Sequence, residues 1–227
     1  MDFPVVVLAE PRAVRLVANA RLRDPVLHRL VDPSLADDLA EIEGATSGRL
    51  AAQASAAALF PSGRPHANFV NAAFAYWRPR EPNRFNGTDR GAWYAALEVE
   101  TALAEVVFHI RRELDRVGSY EAAVEYAEMW ASFAGAFVDL RGVSPRPACL
   151  DPDPAVGYPA GNLLAEEARA AGHNGIVYPS VRRAGGTCLV ALWPHAVQSP
   201  AQGAIVRVTW AGSPEHVVEF LGEGFRP

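Results

Sequence analysis

"GAWYAALEVETALAEVVFHIRREL", residues 91–114, reads as a short strand running directly into a helix. GAWYAAL has the aromatic and small apolar content of a buried strand. After it the period changes, and Leu103, Val107, Ile110 and Leu114 fall on one helical stripe. The rest of the chain alternates strands and helices irregularly, without the βαβ rhythm of a doubly wound sheet. The expected fold class is therefore α+β, a mixed sheet flanked by helices.

Working outward, SYEAAVEYAEMWASF (119–133) fits a helix or a strand pair, and GAFVDLRG (135–142) fits a strand. Residues 145–159 read as a proline-rich loop. NLLAEEARAAG is a helix stopped by Gly172 in the C′ position. GIVYPS, TCLVALWP and AIVRVTW are three strand-like runs, and HVVEFLG is a closing strand. Upstream, NFVNAAFAYWRP reads as a strand closed by Pro79. Ser34 caps a helix carrying Leu35, Leu39 and Ile42, and RLAAQASAAALF is a second, alanine-rich helix. VVVLA near the start is a short strand-like run.

The chain has 227 residues, half of them hydrophobic, enough for a single domain with its own core. All 21 basic residues are arginine, which removes a Walker-type lysine and a Schiff-base lysine. A formal net charge of −5 argues against sequence-independent nucleic-acid binding, which depends on phosphate neutralisation. The 2 cysteines, Cys149 and Cys188, have no CxxC spacing, so neither a disulfide framework nor a zinc site is expected and a reducing cytoplasm fits. The 6 histidines show no metal-ligand spacing, and no metal is expected. No apolar run is long enough to span a membrane, and the N-terminus lacks the basic region of a secretory signal.

Four residues stand out. Glu105 lies opposite the apolar stripe of its helix, where a carboxylate is ordinarily solvated. Ala102, Val106 and Phe108 extend the apolar surface to both sides of it, and a buried carboxylate needs a partner or a purpose. The residues alone leave both readings open. Arg84 sits in the loop RFNGTDRG, where a guanidinium fork suits phosphate but a plain surface arginine is equally ordinary. Tyr94 on its own is a core tyrosine. Ser180, after a proline at a strand end, is either a turn residue or a rim hydroxyl; no GxSxG surrounds it.

Four blocks change these odds: RLVDPSLADDLAEIEGATSGRL (29–50), NRFNGTDRGAWYAALEVETALAEVVFH (83–109), NGIVYPSVRRAGGTCLVALWP (174–194) and QGAIVRVTWAG (202–212). In that order they resemble the RES-domain family, toxins of bacterial toxin–antitoxin pairs named for an Arg, a Glu and a Ser. The resemblance places the family arginine on Arg84, the tyrosine on Tyr94, the glutamate on Glu105 and the serine on Ser180. Arg29 aligns with a second ligand-facing arginine. Asn174 stands where an aspartate is common.

The resemblance implies residues 25–212 as the RES domain, preceded by an N-terminal segment (1–24) and followed by a tail (213–227). It implies an ADP-ribosyltransferase-like fold and NAD+ as substrate, cleaved between nicotinamide and ribose by hydrolysis or phosphorolysis. Mono-ADP-ribosyl transfer to a host protein is the alternative, and a non-catalytic interaction domain the third. The implied partner is an Xre-type helix-turn-helix antitoxin, meeting the mouth of the site or the apolar segment around residues 120–137; a homodimer is a further expectation.

Overall fold

The structure is a computed structural model and describes residues 3–18, 66–75 and 82–222. Arg29 and the two helices expected between residues 34 and 60 lie outside the described residues.

In chain order the elements are β1 (Val5–Ala18), α1 (Ala67–Ala75), β2 (Trp93–Ala96), α2 (Val99–Val117), β3 (Glu121–Asp139), α3 (Pro154–Ala170), β4 (Gly175–Pro179), β5 (Thr187–Ala191), β6 (Val197–Ala211) and β7 (Val217–Leu221). The seven strands form one sheet ordered β1-β2-β5-β4-β3-β6-β7. β1 also pairs with β3, from Val5↔Val138 to Ala18↔Tyr126. The pairings thus close a circuit of five strands, from which β6 and β7 extend as a wing. Among the described residues only β3 and β4 run parallel; the other pairs are antiparallel. The mixed α+β class expected from the sequence is the one found.

The five strands of the circuit each divide their side chains between two buried clusters, as period-2 geometry requires. In β2, Trp93 and Ala95 enter one cluster, with Met129, Phe133 and Phe137; Tyr94 and Ala96 enter the other. The helices sort accordingly. Val106, Val107, Ile110 and Leu114 of α2 and Leu164, Ala165 and Ala168 of α3 pack on the Tyr94 side. Val70 and Phe74 of α1 pack on the Trp93 side. Among the described residues no helix is long and apolar enough to cross a membrane.

Three expectations are corrected. Residues 68–75 of the run read as a strand lie in the helix α1 (Ala67–Ala75). Val70 and Phe74, four apart, are buried on one helical face, and the long-range contact with Trp93 outweighs the aromatic β-preference of the run. The proline-rich loop ends at Pro154, where α3 begins. Asp153 caps that helix by accepting from the Ala155 N–H at 2.9 Å, and a proline at the first helical position costs no hydrogen bond. Finally, SYEAAVEYAEMWASF and GAFVDLRG join in the single 19-residue strand β3. It is bonded to β1 on one side and β6 on the other. The segment around residues 120–137 is therefore paired along both edges, and residues 126–131 and 133 within it are buried, so these residues are not a free apolar surface for a partner.

Candidate active site

The step from β2 into α2 places Tyr94 and Glu105 on the same side of the sheet. The face of α2 carrying Ala102, Glu105, Val106 and His109 lines a cleft of about 270 Å³. Arg84 and Tyr94 line the same cleft, joined by Arg15 from β1, Tyr158 from α3 and Arg182 from the β4–β5 turn. The carboxylate and the guanidinium singled out in the sequence thus share one hollow.

Glu105 is half-buried. Its Oε1 accepts the Ser180 hydroxyl at 2.8 Å and lies 3.7 Å from the Cys188 thiol. Ser180 also accepts the backbone N–H groups of Arg182 and Arg183, each at 3.1 Å. The serine therefore stands behind Glu105, fixing both the carboxylate and the turn that follows β4. Burial, and then the Glu105 charge, push the Cys188 thiol far above its ordinary value, so it is a neutral neighbour. Among the described residues Glu128 is another buried acid, but it accepts from Trp130 Nε1 at 2.9 Å and the Ala204 N–H at 3.2 Å and is absent from the cleft lining.

Arg84 is buried, at 6 % exposure, and its Nη1 donates to the carbonyls of Cys149 at 2.6 Å and Asp151 at 2.8 Å. Its Cζ lies 5.3 Å from the centroid of the Tyr158 ring. Glycine makes this seat possible. A Cβ on Gly157 would stand 2.5 Å from Arg84 Nη1, and one on Gly161 would stand 2.1 Å from the Arg84 carbonyl oxygen. Asn162 Nδ2 donates to the Asn83 carbonyl at 2.7 Å, and Arg169 Nη2 donates to the Phe85 carbonyl at 3.3 Å. Residues 83–86 are in this way strapped along one face of α3.

Tyr94 closes the strap from the other side: its hydroxyl donates to Asn86 Oδ1 at 2.8 Å and accepts the Phe85 N–H at 2.9 Å. Burial raises its pKa far above the ordinary phenol value, so Tyr94 is a fixed neutral donor and not a base. Burial likewise raises Tyr178, whose ring meets Phe85 edge-on at 4.9 Å. Among the described residues no group of three His, Cys, Asp or Glu side chains is gathered to hold a metal.

Sequence reasoning missed Arg15, His109, Tyr158 and Arg182. His109 carried a signal, since it follows Glu105 by four positions and so shares its helical face. Tyr158 was hidden by the prolines around it, and Arg182 by an adjacent-arginine pair that reads as a surface patch.

A carboxylate and arginines lining one small cleft make an arrangement that suits a charged, polar ligand. The model of the family described as "RES domain" matches residues 60–211 of the chain. It begins after the block at 29–50 and spans the other three blocks almost completely. No curated protein matches the chain. RES domains are toxin-like domains associated with the use of NAD. Over two thirds of its length, and with the cleft built from the matched region and the strand preceding it, the chain belongs to the RES-domain family.

Proposed function

We propose that the protein is the toxin of a toxin–antitoxin pair and cleaves the nicotinamide–ribose bond of NAD+. The observation that carries this reading is the Glu105 carboxylate, held by Ser180 at 2.8 Å and facing a cleft walled by Arg84 and Tyr94. Breaking the bond passes through a cationic sugar, similar to the oxocarbenium state of glycoside hydrolysis. Nicotinamide leaves as a neutral ring, so no general acid is needed. What the reaction needs is a fixed negative charge beside the ribose, and Glu105 supplies it. The same carboxylate can accept a proton from an attacking water or orient a phosphate nucleophile.

Arg84 sets positive potential at the cleft wall, and Tyr94 holds the loop that carries it. Ligand pockets begin at roughly 300 Å³. At about 270 Å³ the cleft is of a size to receive part of the dinucleotide rather than all of it. An Xre-type helix-turn-helix antitoxin covering that mouth is the partner this reading implies.

Mass spectrometry of products from pure protein, NAD+, phosphate and cell lysate tests the proposal. Free nicotinamide with ADP-ribose or its phosphate is expected; nicotinamide release accompanied by ADP-ribosylated lysate protein would make the enzyme a transferase. Intact NAD+ would refute the reading. Glu105→Gln should slow nicotinamide release about a hundred- to thousandfold, the usual loss on removing one charge-stabilising group, with an unchanged melting temperature.

A further inference from the structure

Three arginines line the cleft, Arg15, Arg84 and Arg182, and they differ in what occupies them. Arg15 Nη1 lies 3.5 Å from the Ala92 carbonyl, and its Cζ lies 5.2 Å from the centroid of the Trp93 ring. Arg84 Nη1 is held by two backbone carbonyls. Arg182 is half-buried, and its guanidinium has no hydrogen-bond acceptor among the described residues. Its Cζ lies over the Phe108 ring, 3.4 Å from the centroid, which fixes the side chain without using any of its N–H donors. Its backbone N–H is bonded to Ser180, the residue that also holds Glu105, so cation and carboxylate are set from one anchor. Burial and the nearby Arg84 charge both lower the Arg182 pKa, opposed by Glu105. An anion placed between Arg84 and Arg182 would relieve that strain.

Resting on the NAD+ reading, we propose that Arg182 recognises the phosphate attached to the ribose that Glu105 faces. It thereby selects nicotinamide nucleotides over the nucleoside. A guanidinium presents parallel N–H donors that match phosphate oxygens in pairs, and such charge-assisted bonds are the strong ones. Phe108 holds that fork in place in advance, so little side-chain entropy is lost on binding. Arg182 acts on substrate binding, while Glu105 acts on the bond that breaks.

The test compares Arg182→Ala and Arg182→Met, the second retaining an apolar stem over Phe108, in two measurements. The first is nicotinamide release from NAD+, nicotinamide mononucleotide and nicotinamide riboside. Both variants should raise KM at least tenfold for the two phosphate-bearing substrates, leave kcat within a factor of about three, and leave the riboside unaffected. Unchanged KM for NAD+, or an equal penalty on the riboside, would overturn the proposal. The second is calorimetric binding of ADP-ribose, which needs no turnover. Wild-type protein should bind it and both variants should bind at least tenfold more weakly. Equal binding, or no binding by wild-type protein, would overturn the assignment of Arg182. ADP-ribose binding that depends on Arg182 without any nicotinamide release would uphold the phosphate site and reject the cleavage reaction.

Discussion

The Ser180 hydroxyl donates one hydrogen bond to a carboxylate and receives two from a turn, which makes its removal a test of positioning. A hydrogen bond to a charged group contributes about 1.5–3 kcal/mol. Ser180→Ala should therefore lower kcat for nicotinamide release roughly 10- to 100-fold with little change in KM, and Ser180→Thr should recover most of it. Wild-type kcat in Ser180→Ala would show that Glu105 holds its place without help. Cys188 gives a second residue-scale expectation. Thiols react as thiolates, and burial raises the pKa of both Cys188 and Cys149. Iodoacetamide at pH 8 should label neither cysteine in the folded protein and both after denaturation, counted by intact mass. At this scale the sequence alone left Glu105 undecided, because a helical wheel cannot say what faces the polar side. The family blocks resolved which residues to compare. Arg182 stayed hidden because its partner Phe108 is 74 positions distant in sequence and meets it only through packing between α2 and the β4–β5 turn.

Among the elements, α3 depends most on absent side chains. Gly157 and Gly161, four residues apart, form a notch along the helix into which residue 84 settles. Alanine is ordinarily better than glycine inside a helix by about 1 kcal/mol. Gly161→Ala should reverse that sign, since its Cβ would meet a backbone oxygen at 2.1 Å and overpacking costs about 1–3 kcal/mol. A melting temperature lower by several degrees, with weaker ADP-ribose binding, is the expected outcome; a higher melting temperature would mean that the loop simply moves aside. Elements with strong local patterns were legible: the α2 stripe, the stop at Gly172, and the runs that became β2, β4 and β5. Those set by distant partners were not. α1 is a helix because Val70 and Phe74 reach Trp93, and β3 is continuous because β1 and β6 hold it along both edges.

For the molecule as a whole, β1 is the notable contributor. It precedes residue 60, where the family match starts, yet it pairs with β3 along nearly its full length, bridges to β2 at Val14↔Ala96 and supplies Arg15 to the cleft. A fragment of residues 60–227 should lose cooperative thermal unfolding and near-ultraviolet circular dichroism, because β3 would keep an unpaired apolar edge. A sharp transition in that fragment would show the circuit to be dispensable. Pairings this distant in sequence are also slow to form, since chain entropy is lost before the contacts repay it.

Ring closure has a further meaning for how activity is inherited by pieces of the chain. A cut between β3 and α3 would leave the acid on one half and the hydroxyl that steadies it on the other, with Arg182 likewise parted from Arg84. Neither half could then carry a residual trace of the reaction, and whatever returned on mixing them would report, molecule for molecule, how many rings had been re-formed.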